Sequence, residues 1–178
     1  MNKKILIFSG DPNSINSEII LKCWKNIDST TKKRIYIITN YELIKSQLKR
    51  LGYSSKIEIV KNINDLPSNK NLKILNIDLT FKNSFNVTVK ECKKFIRKSL
   101  NLAHKLSLDP LVSGLINCPI NKNLLGNKKG GLTEFFAKKC RSKKNSEVML
   151  ISNEKISVSP ITTHIDLQDV SKRINGKV

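Results

Sequence analysis

Apolar residues fall into two alternating patterns along this chain: short unbroken runs, and stripes recurring every three or four positions. Runs of four to eight apolar residues between turn signals read as buried strands, and the stripes read as amphipathic helices. Lys3 to Ser9, with Ile5-Leu6-Ile7-Phe8 inside it, is the first predicted strand. Ile15 to Ile27 follows as a helix, with Ile15, Ile19, Ile20, Cys23, Trp24 and Ile27 at helical spacing. Arg34 to Thr39 reads as a second buried strand, and Tyr41 to Leu51 as a helix that stops at Gly52, a residue suited to the left-handed C-cap. Ile57 to Val60 and Leu72 to Ile77 are shorter runs separated by a Pro67-Ser68-Asn69 turn. Val87 to Leu108 is the longest predicted helix, with Val89, Cys92, Phe95, Ile96, Ser99, Leu102, Ala103 and Leu106 toward one face, and Pro110 ends it.

Leu111 to Asn117 reads as another buried strand, leading through Cys118 to Asn121 into a short helix near Lys122 to Leu125. The Gly130-Gly131 pair resets the backbone before a helix from about Thr133 to Lys139. Glu147 to Ser152 and Lys155 to Thr162 look like strands joined by an Asn153-Glu154 hairpin turn. Asp166 is placed to cap a final helix, Leu167 to Ile174, with Val170 and Ile174 facing inward. Strands alternating with helices imply an α/β protein with a mostly parallel sheet, to which the late hairpin adds an antiparallel element. The chain stops just after a helix, so any strands that close the sheet from farther on would be missing.

Composition narrows the class. The chain has 178 residues, enough for one ordinary domain but short for a two-domain enzyme that closes over its substrate. Its 39% hydrophobic and 26% charged residues suit a folded protein. No apolar stretch is long enough to span a bilayer, and the run after Lys4 is too short for a signal peptide, which implies a cytoplasmic protein without a membrane partner. The net charge of +19 would favour polyanions, and a basic nucleic-acid-binding module on this fold is the alternative it raises. Lysines are spread through nearly every segment, though, and aromatic residues do not interleave with them as a base-stacking surface needs, so the charge reads as composition on solvated faces. Cys23, Cys92, Cys118 and Cys140 lie far apart, without a C-x-x-C pair, and read as reduced, mostly buried thiols.

Ligand-binding groups in open α/β sheets gather at the carboxyl ends of strands, which directs attention to the loops after Ser9, Asn117 and Thr163. Gly10-Asp11-Pro12-Asn13-Ser14-Ile15-Asn16-Ser17-Glu18 joins the first strand to the first helix and serves equally as a ligand loop or a plain turn. Asn117-Cys118-Pro119-Ile120-Asn121-Lys122 brings a lysine to a helix start, where an anion would be favoured, although a solvated lysine is the plainer reading in this chain. Gly130-Gly131-Leu132-Thr133-Glu134-Phe135-Phe136 opens a helix, with Thr133 as cap or phosphate contact and the two phenylalanines anchoring it inward. Thr162-Thr163-His164 ends a predicted strand just before Asp166, so the His164 imidazole is expected to project into the crevice, whereas His104 within the long helix has only a structural reading.

Taken in order, these loops resemble the 4-phosphohydroxythreonine dehydrogenases, whose fold is similar to that of isocitrate and isopropylmalate dehydrogenases. The likeness runs from Leu6 to Ile174 and is most specific at Cys118-Pro119-Ile120-Asn121-Lys122, at Gly131 to Phe136 and at Thr162 to Leu167. The resemblance implies oxidation of 4-phosphohydroxythreonine with transfer of hydride to NAD or NADP. Loss of carbon dioxide then gives 3-amino-2-oxopropyl phosphate, a step of pyridoxal phosphate biosynthesis. It also implies a divalent metal, zinc, magnesium or cobalt, held by three histidines of which His164 is the first, with Thr133 contacting the substrate.

The departures carry information as well. Leu132 stands where the family has a substrate-binding histidine; losing that hydrogen bond to a charged ligand is worth roughly 1.5 to 3 kcal/mol, or about ten- to a hundredfold in binding. Ser14, Asn16 and Ser17 stand where the family has Gly, Gly and Pro. The resemblance implies that the other metal ligands, the later basic residues and most of the dinucleotide site fall in a C-terminal part beyond this chain. Residues 1–178 are therefore expected to be the N-terminal part of a two-domain dehydrogenase, inactive alone. It would be a fragment, a split enzyme needing a C-terminal half, or a decayed paralogue, with a homodimer as the family's assembly.

Overall fold

The computed structural model describes residues 3–65, 71–125, 131–141, 148–162 and 165–174, which form two compact units, 1–132 and 133–178. The predicted turn at Pro67-Ser68-Asn69 lies outside the described residues.

The first unit is built on five parallel strands: β1 (Lys4–Phe8), β2 (Ile35–Thr39), β3 (Ile57–Val60), β4 (Leu72–Asn76) and β5 (Val112–Asn117), in the order β3-β4-β2-β1-β5. Central strands of a parallel sheet are covered on both faces and need apolar residues at every position. Accordingly β2 is buried throughout. Strand alternation divides the core in two. Ile35, Ile37, Leu72 and Ile74 pack with Ile20, Leu21 and Trp24 of α1 (Asn16–Asn26) and with Ile44 and Leu48 of a later helix, Tyr41–Arg50. On the opposite face the Phe8 ring lies 6.3 Å from that of Phe95, which belongs to the long helix Val89–Ser107.

Between α1 and β2 lies a helix that apolar periodicity does not announce, α2 (Ser29–Arg34), none of whose residues is buried. Its signal is a cap: the Asp28 carboxylate accepts from the Thr31 amide at 2.9 Å and from its hydroxyl at 2.5 Å, satisfying donors a helix start leaves free. The helix Tyr41–Arg50, α3, starts from Asn40, whose side chain accepts from the Leu43 amide and donates to the Ile77 carbonyl, both at 2.8 Å. It ends as expected at Gly52, in the left-handed region at φ +73°, with the Tyr53 amide bonded to the Leu48 carbonyl at 2.8 Å. Helix α4 (Val89–Ser107) is capped by Thr88 and buries Cys92, Phe95, Ile96, Ser99, Leu100 and Ala103.

Three expectations for this unit need correction. Ile15, Ile19 and Cys23 do not face the core; α1 turns toward the sheet along Asn16, Ser17, Ile20, Leu21 and Trp24, because Asn16 and Ser17 make inward hydrogen bonds. Val89 likewise points to solvent. Leu111 to Asn117 is not a buried strand: β5 is an edge, and of its six residues only Val112 is buried.

In the second unit no described residue is buried. Helix α5 (Leu132–Lys139) opens one residue before Thr133, so that threonine sits in the first turn and is not the cap. The long hairpin strands shrink to β6 (Ile151–Ser152) and β7 (Ser157–Val158). Their turn spans 153–156, fastened by the Asn153 side chain, which accepts from the Lys155 and Ile156 amides at 2.9 Å. Helix α6 (Leu167–Arg173) follows Asp166, which takes the cap position without a side-chain cap bond; Val170 is half-buried, and Ile174 is exposed, not inward.

Candidate functional site

The chain proceeds from β1 to β2 on one side, then returns across the sheet through α4 to place β5 on the other side of β1. Such a reversal opens a crevice at the carboxyl ends of the two strands, between the loops that follow Phe8 and Asn117. These loops do meet. The Asp11 amide donates to the Pro119 carbonyl at 3.1 Å, and the Asn16 side-chain amide donates to the Ser9 and Pro119 carbonyls at 2.8 and 2.9 Å.

Gly10 is held at φ +76°, and a Cβ there would lie 2.4 Å from the Pro119 carbonyl oxygen and 2.5 Å from Asn16 Nδ2. The space that its missing side chain leaves is therefore filled by the chain itself. Asn16 is 3% exposed, and its Oδ1 has no hydrogen-bond partner among the described residues.

The rest of the first loop is fastened just as closely. Asn13 exchanges two bonds with Val87, accepting its amide at 2.7 Å and donating to its carbonyl at 2.8 Å. Gln47 donates to the carbonyls of Pro12 and Ser84 at 2.7 and 2.6 Å and accepts from the Ser17 hydroxyl. The loop's own sequence does not reveal this fastening; its one local signal is the density of Asn and Ser, whose side chains bond backbone readily.

The other predicted residues are placed as follows. Lys122 is exposed at the start of a 3₁₀ turn, Lys122–Leu125, whose backbone is held by Asn121. Leu132 is half-buried as the first residue of α5, and Thr133 is exposed in its first turn. Phe135 and Phe136 are half-buried and meet edge to face at 5.5 Å. Thr163 and His164 lie outside the described residues; β7 has ended by Val158, so Thr162 does not stand at a strand end. Among the described residues no group of three His, Cys, Asp or Glu side chains is able to hold a metal ion. The described residues thus do not by themselves supply a divalent-metal site.

Two thiols are buried and two are not, which corrects the reading of mostly buried cysteines. Burial pushes the Cys118 thiol up to about 11, with nearby Cys23 adding to the effect, and pushes Cys92 up to about 11, with Asp11 adding. At pH 8 a thiol reagent is expected to label Cys23 and Cys140 promptly and Cys92 and Cys118 at least about a hundredfold more slowly, because the thiolate is the reactive form. Mass mapping of the labelled peptides checks this.

The family model for the pyridoxal phosphate biosynthetic protein PdxA matches residues 30–178. The chain belongs to the PdxA family. Among curated PdxA relatives it is 30% identical to the 4-hydroxythreonine-4-phosphate dehydrogenase of Sulfurihydrogenibium sp., over 96% of this chain and 52% of that protein. It is 33% identical to the enzyme of the same name from Aquifex aeolicus, over 96% of this chain and 52% of that one. The chain thus spans about half the length of the curated relatives it matches, and corresponds to their N-terminal portion. Its fold is similar to the crystal structure of 4-hydroxythreonine-4-phosphate dehydrogenase from Klebsiella pneumoniae, with a TM-score of 0.79 at 22% identity over 94% of this chain and 53% of that one. A solved Salmonella typhimurium protein, described as a putative enzyme of that name, gives a TM-score of 0.82 at 21% identity over 98% and 55% of the two chains. The PdxA fold as a parallel α/β sheet with a late hairpin is thereby established for this chain.

Proposed function

We propose that residues 1–178 form the N-terminal part of a cytoplasmic PdxA enzyme that oxidises 4-phosphohydroxythreonine with NAD or NADP, and that this part is inactive until the C-terminal part is supplied. The observation that carries the reading is the family match over 30–178 in a chain spanning about half of its relatives. In this reading Thr133 offers its exposed hydroxyl, in the first turn of α5, to the phosphorylated amino acid. Leu132 supplies only apolar contact there, and His164 is one ligand of a divalent ion, zinc, magnesium or cobalt, whose other ligands come from outside this chain. A complementing C-terminal half provides them, and the assembly is a homodimer or a pairing with that half. Nucleic acid has no part in this reading, in which the +19 charge is solvated composition.

The test is complementation. The chain is mixed with a separately produced C-terminal half of the Aquifex aeolicus relative, and reduced nucleotide is followed at 340 nm, a wavelength set by the general absorbance of NADH and NADPH. Activity is expected only in the mixture and is expected to vanish with His164→Ala. Leu132→His is expected to tighten substrate binding by about ten- to a hundredfold, the worth of one charged hydrogen bond. A mixture with neither association nor activity overturns the proposal.

A further inference from the structure

One helix gathers charge that the rest of the chain scatters. Among the seven exposed positions of α4 from Lys90 to Lys105, six are basic, Lys90, Lys93, Lys94, Arg97, Lys98 and Lys105, and the seventh is Asn101. They recur every three or four residues, which sets them in one stripe along a single face. The opposite face is fixed against the sheet by Cys92, Phe95, Ile96, Leu100 and Ala103, so the stripe is held toward solvent. From Lys90 to Lys105 it runs about 22 Å at the helical rise. Glu91 is the only acidic residue in the helix, and Asp78 meets Lys98 at 3.5 Å in a pair exposed on both sides. The exposed positions of α1 and α3 differ in mixing lysines with Ile19, Cys23 and Glu42, and Lys22 is paired with Glu18 at 2.7 Å.

The chemistry of the stripe selects its partner. A membrane-surface helix needs an apolar face beside its basic one, and a protein interface needs buried aromatic or aliphatic anchors at its centre. None of the exposed positions from Lys90 to Lys105 is apolar. Single-stranded nucleic acid is held by stacking on aromatic rings, but Phe95, the one aromatic residue of α4, is fully buried. A duplex phosphate backbone needs only cations: it presents one negative charge per about 1.7 Å, so about a dozen lie along the stripe. The B-form major groove, about 12 Å wide, admits a helix, whereas the major groove of duplex RNA is too narrow for side chains to enter.

We propose that the outer face of α4 binds double-stranded DNA through its phosphates, without reading sequence. Arg97 and Asn101 lie near the centre of the stripe, with Lys93 and Lys98 on its two borders, about 140° apart around the helix and placed to meet the two walls of the groove. This function goes beyond the dehydrogenase reading and does not depend on it; the rest of the +19 charge is still solvated composition.

The test is fluorescence anisotropy of the 178-residue chain with a labelled DNA duplex of about 20 base pairs, at salt from about 50 to 200 mM. The expected result is micromolar binding with a slope of log affinity against log salt of about −5, one released counterion per cation of the stripe. Lys94→Gln combined with Arg97→Gln is expected to weaken binding at least about tenfold and to flatten the slope by about 2. The control, Lys45→Gln combined with Lys49→Gln, removes the same charge from exposed positions of α3, on the other side of the sheet, and is expected to change binding by less than about twofold. Circular dichroism checks that both variants keep their fold, which the exposure of all four positions favours. Equal losses in the two variants would assign binding to net charge and overturn the proposal, as would absence of binding up to about 100 µM protein. Displacement of the probe by duplex RNA or polyglutamate as readily as by unlabelled DNA overturns the choice of DNA.

Discussion

Gly10→Ala is expected to destabilise the first unit by about 3 kcal/mol, the sum of left-handed backbone strain of about 1 kcal/mol and overpacking of about 2 kcal/mol. The added methyl meets the Pro119 carbonyl oxygen and the Asn16 amide, and both are already fixed by the hydrogen bonds that join the two loops. Backbone cannot move aside as a flexible side chain can. Gly52 is the internal control, because it has nearly the same φ, +73°, but nothing within 4 Å of the would-be Cβ. Gly52→Ala should cost only the strain, about 1 kcal/mol. Urea denaturation of the two variants beside the parent chain decides this, and equal losses at both positions would show that the close approach at Gly10 contributes nothing.

The second large effect is a stability that rises with pH in an alkaline window. Lys73 lies within β4 at 1% exposure, and its ammonium donates to the carbonyls of Lys32 and Lys33 at 2.8 and 2.7 Å, closing the end of α2. It also sits 4.8 Å from the centre of the Tyr36 ring. Burial, with the positive charge of Lys4 adding and Glu58 opposing, lowers its pKa from 10.5 to about 8.

The folded state thus releases this proton more readily than the unfolded state, which binds more protons between about pH 8 and 10.5. Stability rises through that window, by an amount of order 3 kcal/mol at its upper end, while below pH 8 the cost of the buried charge is fully present. The neutral amine still has hydrogens to donate to both carbonyls, so the structure need not change as the proton leaves. Urea midpoints measured from pH 7.5 to 10.5 are expected to climb in the parent chain. In Lys73→Met they should stay flatter, and a parallel climb in that variant would assign the effect to general relief of the +19 charge.

Legibility of the fold followed the kind of force involved. Buried runs such as Ile35 to Ile38 announce a central strand because they are apolar at every position, and the stop of α3 at Gly52 is readable because glycine is the residue that takes that conformation without strain. Helix α2 escaped notice because it buries nothing; its evidence is one carboxylate bonded to one threonine. Leu111 to Asn117 reads as a buried strand, yet apolar content does not say whether a further strand lies alongside, and β5 is an edge among the described residues. The candidate site was legible only as separate loops. The residues that join Gly10 to Pro119 and Asn13 to Val87 are far apart in sequence, and no local pattern pairs them.

By itself the sequence determined the alternation of strands and helices, the caps with a single suitable residue, and the ordered motifs that place this chain in its family, since each depends on chemistry within a few neighbouring positions. Only the tertiary structure decided which strand became an edge, which face of α1 turned inward, and that the crevice between β1 and β5 is closed by Asn16 and Pro119. Those outcomes depend on hydrogen bonds and contacts between segments that are distant along the chain, where the best partner is selected by the whole packed sheet.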